Sequence, residues 1–333
     1  MSTSIINPLA PQAYLSPDLA PGYDGQSHMY FLTLGAWLWD FLNALPEEYT
    51  TVWRRKPSVS SVFYILARIM TLVAIVSSIV FQLSPTTHCG ALMFVICIAI
   101  AGASVSAAFM FLIRVTAIYN RSWVVAAWFG VLWALLLGTT IAMPFFITTG
   151  HIGATTFCII TAVKPLGGGF TFSPIPFAVL TVYDTLIFVF ISWRLNGVVW
   201  NHSISSTWTS RLLSLFRGRG LPHFTKSVLR HGQKYYLATA ILNVTCLIML
   251  LTSAVPSVLH AIFIVPAVAM QNALACRIYR ETLLDLSSVH TQRIDLGRQS
   301  PLQIRHDIHL SDMLSKNGLG TPGSVISRTS SCD

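Results

Sequence analysis

Four ionisable side chains lie inside long apolar stretches of the sequence: Asp40, Arg68, Arg114 and Asp184. A charge placed in hydrocarbon costs about 3 kcal/mol or more unless it finds a partner or a water-filled cavity. Such residues therefore pair with each other, reach toward the membrane surface, or contact an ion or ligand. Each of the four is a candidate functional residue.

Asp40 and Arg68 have positions that predict an ion pair. Asp40 lies five residues before the end of the apolar stretch 29–45, and Arg68 lies eight residues after the start of the stretch 60–83. If both are helices, with a rise of about 1.5 Å per residue, the two side chains lie at comparable depth. The pair is interpreted either as a device that sets helix register or as part of a switch.

Asp184 lies near the middle of the apolar stretch 173–193, beside Tyr183 and Thr185. It is the best single candidate for contact with a polar ligand or an ion. The alternative is a carboxyl group that is hydrogen-bonded to a neighbouring helix. Four amide and imidazole side chains in later apolar stretches offer such partners: Asn243, His260, Gln271 and Asn272.

Arg114 lies close to the end of the stretch 91–117. One interpretation is that its long side chain snorkels to the lipid headgroups. The other is that it locks the cytoplasmic end of its helix against movement.

Two of the six cysteines, Cys89 and Cys158, lie in segments that are predicted to face the cell exterior. Disulfides persist in that oxidising environment, so we predict a bridge that fastens the loop 150–172 to the top of the helix 91–117. The alternative is two unrelated cysteines, because sequence does not reveal their separation.

These side chains are positioned by seven apolar stretches, most of them near the roughly 20 residues that cross about 30 Å of hydrocarbon. The stretches are 29–45, 60–83, 91–117, 123–149, 173–193, 235–254 and 257–276. They predict an all-α integral membrane protein whose seven-helix bundle occupies residues 29–280. The stretch 29–45 is the shortest, and if it lies on the membrane surface there are six spans. Small residues crowd the stretch 91–117, which predicts a central helix.

The basic residues are distributed unevenly around these stretches. Of the 21 Lys and Arg residues, all but Lys164, Arg68 and Arg114 fall on one set of connecting segments: 46–59, 118–122, 194–234 and 277–333. Because basic loops stay in the cytoplasm, the N-terminus is predicted outside and the C-terminus inside. Residues 1–28 are then an extracellular polar tail, and residues 281–333 are a disordered cytoplasmic tail.

Composition agrees with a membrane location, since 53% of the residues are hydrophobic and only 10% are charged. The net charge of +9 comes from loops beside apolar stretches. The predicted partners of those loops are therefore anionic lipid headgroups of the bilayer, and nucleic acid is not expected. We therefore expect an integral protein of the plasma membrane or of another secretory-pathway membrane.

Motifs for catalysis and cofactor binding are missing from the sequence. The stretch 257–276 contains no Lys that could anchor retinal, and there is no nucleotide-binding glycine motif and no metal-binding histidine cluster. We therefore expect no cofactor, no metal and no enzymatic activity.

Several strings resemble an uncharacterised fungal (basidiomycete-type) family of multi-pass membrane proteins. Residues Tyr30 to Val73, with Asp40, Glu48 and Arg68, resemble its N-terminal domain of unknown function, of the DUF6533 type. Three further strings are similar to that family: Leu112–Arg121, Leu229–Gly232 and Ala275–Arg280. The family usually has Tyr where this chain has Ile69. The resemblance implies a seven-helix membrane protein and no established activity.

The layout also has an architectural likeness to G-protein-coupled receptors. An outward N-terminus, a cysteine at the top of the third span and an arginine at its base are shared. The neighbours of Arg114 lack the receptors' Asp-Arg-Tyr motif, and the last span lacks Asn-Pro-x-x-Tyr. We predict a receptor-like, non-enzymatic sensor with an unknown ligand and a cytoplasmic signalling partner, or alternatively a transporter or channel with a polar path near Asp184.

Overall fold

The structure is a computed structural model of the 333-residue chain. It describes residues 14–15, 20–49, 52, 58–153, 155–167, 170–200, 223–252 and 262–284. Within these ranges, only the backbone is described for residues 166–167, 170–171, 195–200 and 223–236. The chain divides into two compact units, Met1–Glu281 and Thr282–Asp333. Most of the second unit lies outside the described residues, as do His260 and nearly all of the predicted cytoplasmic tail.

Seven helices make up most of the described chain, in agreement with a helical membrane protein. They are α1 (Ala20–Glu48), α2 (Val59–Leu83), α3 (Cys89–Ile118), α4 (Trp123–Ala142), α5 (Pro174–Trp200), α6 (His223–Leu251) and α7 (264–284). Four segments are long and apolar enough to cross a bilayer: Val59–Leu83, Cys89–Ile118, Trp123–Phe145 and Pro174–Arg194. A shorter apolar stretch, Leu237–Leu251, lies in α6.

Helix boundaries differ from the predicted stretches mainly at the first and last helices. Helix α1 begins at Ala20 and continues past Pro46, two residues from its end. Because proline has no backbone N–H, Pro46 donates no helical hydrogen bond to the carbonyl of Leu42, four residues earlier. Helix α7 runs to residue 284, eight residues beyond the predicted end of the last span. Both extensions carry charged residues that hydropathy alone excludes from a membrane stretch.

Helix α3 lies at the centre of the bundle, packed against α2, α4 and α5. In α3, 67% of the most apolar stretch of 18 residues is buried inside the protein, whereas the corresponding share is 17% in the segment that contains α4. Small residues permit this close packing: a Cβ added to Gly102 would lie 2.9 Å from the Met70 side chain of α2. The prediction of a central third helix is confirmed.

The loop between α4 and α5 is not helical, which corrects the expectation of an entirely α-helical fold. After a short 3₁₀ turn (Met143–Phe145), strands β1 (Ile147–His151) and β2 (Cys158–Val163) form an antiparallel hairpin. Strands β3 (Pro165–Gly167) and β4 (Phe170–Thr171) form a second one. The predicted span 123–149 therefore ends earlier than expected, because its last residues belong to β1. The hairpin pairs the backbone N–H and C=O groups of the loop with each other.

Candidate functional sites

An ionic cluster connects three helices. Helix α1 contributes Asp40, Glu47 and Glu48, α2 contributes Arg68, and α7 contributes Arg280. Arg68, Glu48 and Arg280 are each about 95% buried, while Asp40 keeps 30% and Glu47 keeps 53% of its side-chain surface exposed. Since an unpaired charge in this position would be costly, the cluster has to be largely self-neutralising.

Arg68 is the hub between α1 and α2. Its Nη1 donates a hydrogen bond to Asp40 Oδ2 at 2.7 Å, and its Nη2 lies 3.1 Å from Glu48 Oε1. The guanidinium also lies over the Phe41 ring, 6.0 Å from the ring centroid. The Asp40–Arg68 contact that helix depth predicted is therefore present, but Arg68 is shared with a second carboxylate.

Arg280 and Tyr64 extend the cluster to α7. Arg280 Nη1 lies 3.5 Å from Glu48 Oε1, and Arg280 Nε lies 3.3 Å from Glu47 Oε2. The Tyr64 hydroxyl donates to Glu48 and accepts from Arg280 Nη1 at 3.2 Å. Glu48 thus receives contacts from Arg68, Arg280 and Tyr64, which fixes the end of α1 against both neighbouring helices.

Glu48 and Arg280 were not singled out as site residues from the sequence, because both lie beyond the ends of the predicted membrane stretches. A signal was nevertheless present. Glu48 lies in the string Tyr30 to Val73 and Arg280 closes the string Ala275–Arg280, and both strings carry the family resemblance.

A second site, here called the polar cluster, surrounds Asp184 on α5. Asp184 is completely buried. Its Oδ2 accepts a hydrogen bond from Asn243 Nδ2 of α6 at 2.7 Å and another from Gln271 Nε2 of α7 at 3.1 Å. Three helices therefore meet on one carboxylate oxygen, and the predicted partners Asn243 and Gln271 are both in place.

The polar cluster is incompletely satisfied. Asp184 Oδ1 is buried without a hydrogen-bond partner, and so are both amide atoms of Asn272, the residue after Gln271. No basic side chain pairs with Asp184 among the described residues. Buried polar groups in proteins are nearly always bonded, so the free oxygen is a feature that needs a physical explanation. Helix α5 is itself held to α3 by the Tyr183 hydroxyl, which donates to Ala108 O at 2.8 Å.

Cys89 at the start of α3 and Cys158 at the start of β2 form a disulfide, with their Cα atoms 5.6 Å apart. Their sulfur atoms and a ring nitrogen of His151 lie within 4.8 Å of one another. Because both sulfurs are used in the bridge, this group offers no thiolate ligands for a metal. The hairpin is tied to the loop before α3 by a further hydrogen bond from Thr86 N to Thr156 O at 3.0 Å.

The same end of the molecule joins α1 to α2 through Tyr23 and Gln82. The Tyr23 hydroxyl donates to Gln82 O, and Gln82 Nε2 donates to Tyr23 O at 2.7 Å. Burial, reinforced by the negative charge of Asp24, raises the pKa of Tyr23 to about 12. The hydroxyl therefore keeps its proton and remains a donor at neutral pH.

Arg114 lies one turn before the end of α3 and is half-buried. Its Nη1 is buried without a hydrogen-bond partner, and no carboxylate pairs with it in the described part of the chain. Five residues later, Tyr119 donates to Phe190 O of α5 at 2.9 Å, and Arg194 stacks over its ring. In the described part of the chain, Tyr119 therefore makes a side-chain hydrogen bond between the end of α3 and α5, whereas Arg114 Nη1 makes none.

With this geometry established, one comparison bears on the ionic cluster. Residues 33–73 match DUF6533, a family of unknown function. No curated protein matches the chain. The matched segment contains every member of the cluster that lies on α1 or α2. These are Asp40, Glu47, Glu48, Tyr64 and Arg68. The chain is thus similar to this family across its first helix pair, and the similarity coincides with the charged contacts.

Proposed function

We propose that this protein is a seven-helix membrane sensor with an outward N-terminus and a cytoplasmic C-terminus. Four helices qualify as spans by length and apolarity. Helices α1 and α6 have 29 residues each, and at about 1.5 Å per residue both exceed the thickness of the hydrocarbon layer. Helix α7 supplies the seventh span. The one-sided distribution of Lys and Arg supports this orientation in a secretory-pathway membrane such as the plasma membrane.

The observation that carries the sensor proposal is the meeting of α5, α6 and α7 on Asp184 Oδ2. Any event that changes the charge or occupancy of this carboxylate changes the hydrogen bonds of two other helices at once. The basic segment 194–234 joins α5 to α6, so a shift between these helices is passed to the predicted cytoplasmic side. An unknown ligand would act on the bundle, and a signalling partner and anionic lipid would meet the basic segment. No enzymatic step is required.

Membership of the uncharacterised fungal family is supported by three strings outside residues 33–73 that are similar to that family: Leu112–Arg121, Leu229–Gly232 and Ala275–Arg280. Arg280 lies outside the matched segment, yet it contacts Glu48 within it. The matched helix pair therefore depends on α7 for its charge balance. The receptor likeness is supported by the bridge between Cys89 and Cys158, which lies at the N-terminal end of α3.

Topology is tested by cysteine labelling with a membrane-impermeant maleimide on intact cells. We expect Cys89 and Cys158 to be labelled from outside only after reduction, and Cys332 to be labelled only after permeabilisation. Cys332→Ser serves as the control for tail labelling, and the buried Cys97 serves as the control for reagent entry. Labelling of Cys332 on intact cells would contradict the proposed topology, and labelling of Cys89 without reductant would contradict the bridge.

The sensor role is tested by a spin label introduced into the segment 194–234, with candidate ligands screened in nanodiscs. A ligand should change the mobility of the label in the wild-type protein and have a smaller effect in Asp184→Asn. A label in the N-terminal segment 1–13 provides the matched control. A ligand that binds without changing the label in 194–234 would contradict the sensor proposal.

A transporter or channel is the second candidate, and the unpartnered Asp184 Oδ1 is the observation that favours it. A carboxylate with a free oxygen in the middle of a bundle is typical of ion pathways. Flux of ions through reconstituted vesicles that is lost in Asp184→Asn would establish this function over the sensor. Vesicles that show no flux, together with a ligand-dependent change in 194–234, would exclude it.

A further inference from the structure

The Asp184 carboxylate carries a charge that the described side chains do not neutralise. It is completely buried, and none of the ion pairs in the described part of the chain includes it. The ionic cluster shows the contrast, because each of its buried charges lies within 3.5 Å of an opposite charge. An isolated buried charge is strongly unfavourable, so Asp184 requires either a proton or a bound cation.

The hydrogen bonds favour the cation over the proton. Asn243 Nδ2 and Gln271 Nε2 both donate to Oδ2, and two N–H donors on one oxygen stabilise the ionised carboxylate. A proton on Oδ1 would need an acceptor within hydrogen-bond distance, and Oδ1 has no hydrogen-bond partner among the described residues. A proton on Oδ2 would face the two N–H groups directly.

We propose that Asp184 is a binding site for a single Na⁺ ion, held by Oδ1 between α5, α6 and α7. Hard cations take oxygen ligands, and one carboxylate is neutralised by one monovalent charge, whereas a divalent ion would leave a buried positive charge. Asn272, the residue after Gln271 on α7, is 2% exposed, and its buried carbonyl oxygen also has no hydrogen-bond partner among the described residues.

Bound Na⁺ stabilises the arrangement in which three helices share Asp184. The ion neutralises the carboxylate while Asn243 and Gln271 remain bonded to Oδ2, so the charge no longer opposes burial of the three helices. This site is independent of the choice between sensor and transporter, because it concerns only the folded bundle and a free ion.

The first experiment measures the thermal unfolding midpoint of the full-length protein in detergent as choline chloride is replaced by NaCl at constant ionic strength. An ion that binds only the folded state raises the midpoint with the logarithm of its concentration above the Kd. We expect a rise of several degrees in the wild type and none in Asp184→Asn. Asp24→Asn is the matched control, because Asp24 is exposed and should leave the full Na⁺ response intact.

The second experiment measures binding of radioactive Na⁺ to the wild-type protein by equilibrium dialysis, which does not depend on whether Asp184→Asn folds. One ion per chain is expected, reduced to background in Asp184→Asn. Absence of Na⁺ binding by the wild type, or an equal midpoint rise in Asp184→Asn, would overturn the proposal. A wild-type midpoint that rises on acidification without responding to Na⁺ would assign a proton to Asp184 and also overturn it.

Discussion

The ionic cluster and the polar cluster bury acidic side chains in two different ways. Asp40, Glu47 and Glu48 face Arg68 and Arg280, so that charge is offset by opposite charge. Among the described residues, Asp184 is bonded by two amides and by no basic side chain, and one of its oxygens has no partner. The first arrangement is a set of fixed pairs between helices. The second leaves one carboxylate oxygen unbonded within the described part of the chain.

We interpret this difference as a structural role for the ionic cluster and a responsive role for the polar cluster. Removal of one member of a buried ion pair leaves an uncompensated charge and is strongly destabilising, so such pairs favour a single packing. An acid that is solvated by amides changes its interactions whenever its charge changes. We therefore expect substitutions in the ionic cluster to affect folding, and substitutions at Asp184 to affect the response to ions while folding is preserved.

The largest effect is expected for Arg68→Met. Loss of the guanidinium leaves three carboxylates with only Arg280, and the free energy of unfolding should fall by about 3–5 kcal/mol. The measurement is the fraction of monodisperse protein after heating, followed by fluorescence-detected chromatography. Arg277→Met is the control, since its exposed contact with Glu281 at 3.2 Å is worth about 0.5 kcal/mol or less. Equal losses for the two variants would show that the cluster contributes no special stability.

A smaller loss of stability is expected for Asp40→Asn. Asp40 is partly exposed, and Arg68 keeps its contact with Glu48 when the Asp40 charge is removed. The change also leaves two carboxylates for two guanidinium groups, so the cost should be about 1–2 kcal/mol, the value of one charge-assisted hydrogen bond. The same heating assay checks it. A loss as large as that of Arg68→Met would mean that Glu48 does not compensate.

Tyr64→Phe should cost about 1 kcal/mol, because the hydroxyl donates to Glu48 and accepts from Arg280 while those two groups remain paired to each other. Tyr279→Phe is the matched control, since the Tyr279 hydroxyl contacts the Ser61 hydroxyl at 3.2 Å and contacts no member of the ionic cluster among the described hydrogen bonds. Thermal unfolding of the two variants in parallel gives the comparison. A larger effect for Tyr279→Phe would contradict the assigned role of Tyr64.

The smallest effect on stability is expected for Asp184→Asn in buffer without Na⁺. An amide preserves the shape of the side chain and removes an unneutralised buried charge, so the free energy of unfolding should change by less than about 1 kcal/mol or should rise. Thermal unfolding in choline chloride is the measurement. A loss comparable to that of Arg68→Met would show that Asp184 has a cationic partner and would erase the contrast between the two clusters.

Much of this architecture was predictable from local patterns. Apolar stretches located the cores of the helices, and the small residues of 91–117 indicated that α3 is central, which its close approach to Met70 explains. Comparable helix depth was sufficient to connect Asp40 with Arg68. The ends of α1 and α7 were not predictable in this way, because hydropathy stops at the charges that tertiary contacts later stabilise. For the same reason Glu48 and Arg280 were missed as partners.

The loop between α4 and α5 shows a different failure. Its residues 147–149 continue an apolar run, so periodicity places them in a helix, yet pairing with β2 makes them a strand. Short apolar runs are ambiguous between helix and strand, and a partner far along the chain decides the outcome.

The sequence by itself determined the helical membrane class and the ionisable residues in apolar surroundings, because each depends on local composition and spacing. It proposed the bridge between Cys89 and Cys158 but left two unrelated cysteines as the alternative, because their separation depends on the tertiary structure. Only the tertiary structure decided which groups meet. Glu48 is shared by two arginines, and Asp184 is shared by two amides, because three helices converge on each carboxylate. Convergence of this kind depends on how helices pack, and the order of residues within one helix does not encode it.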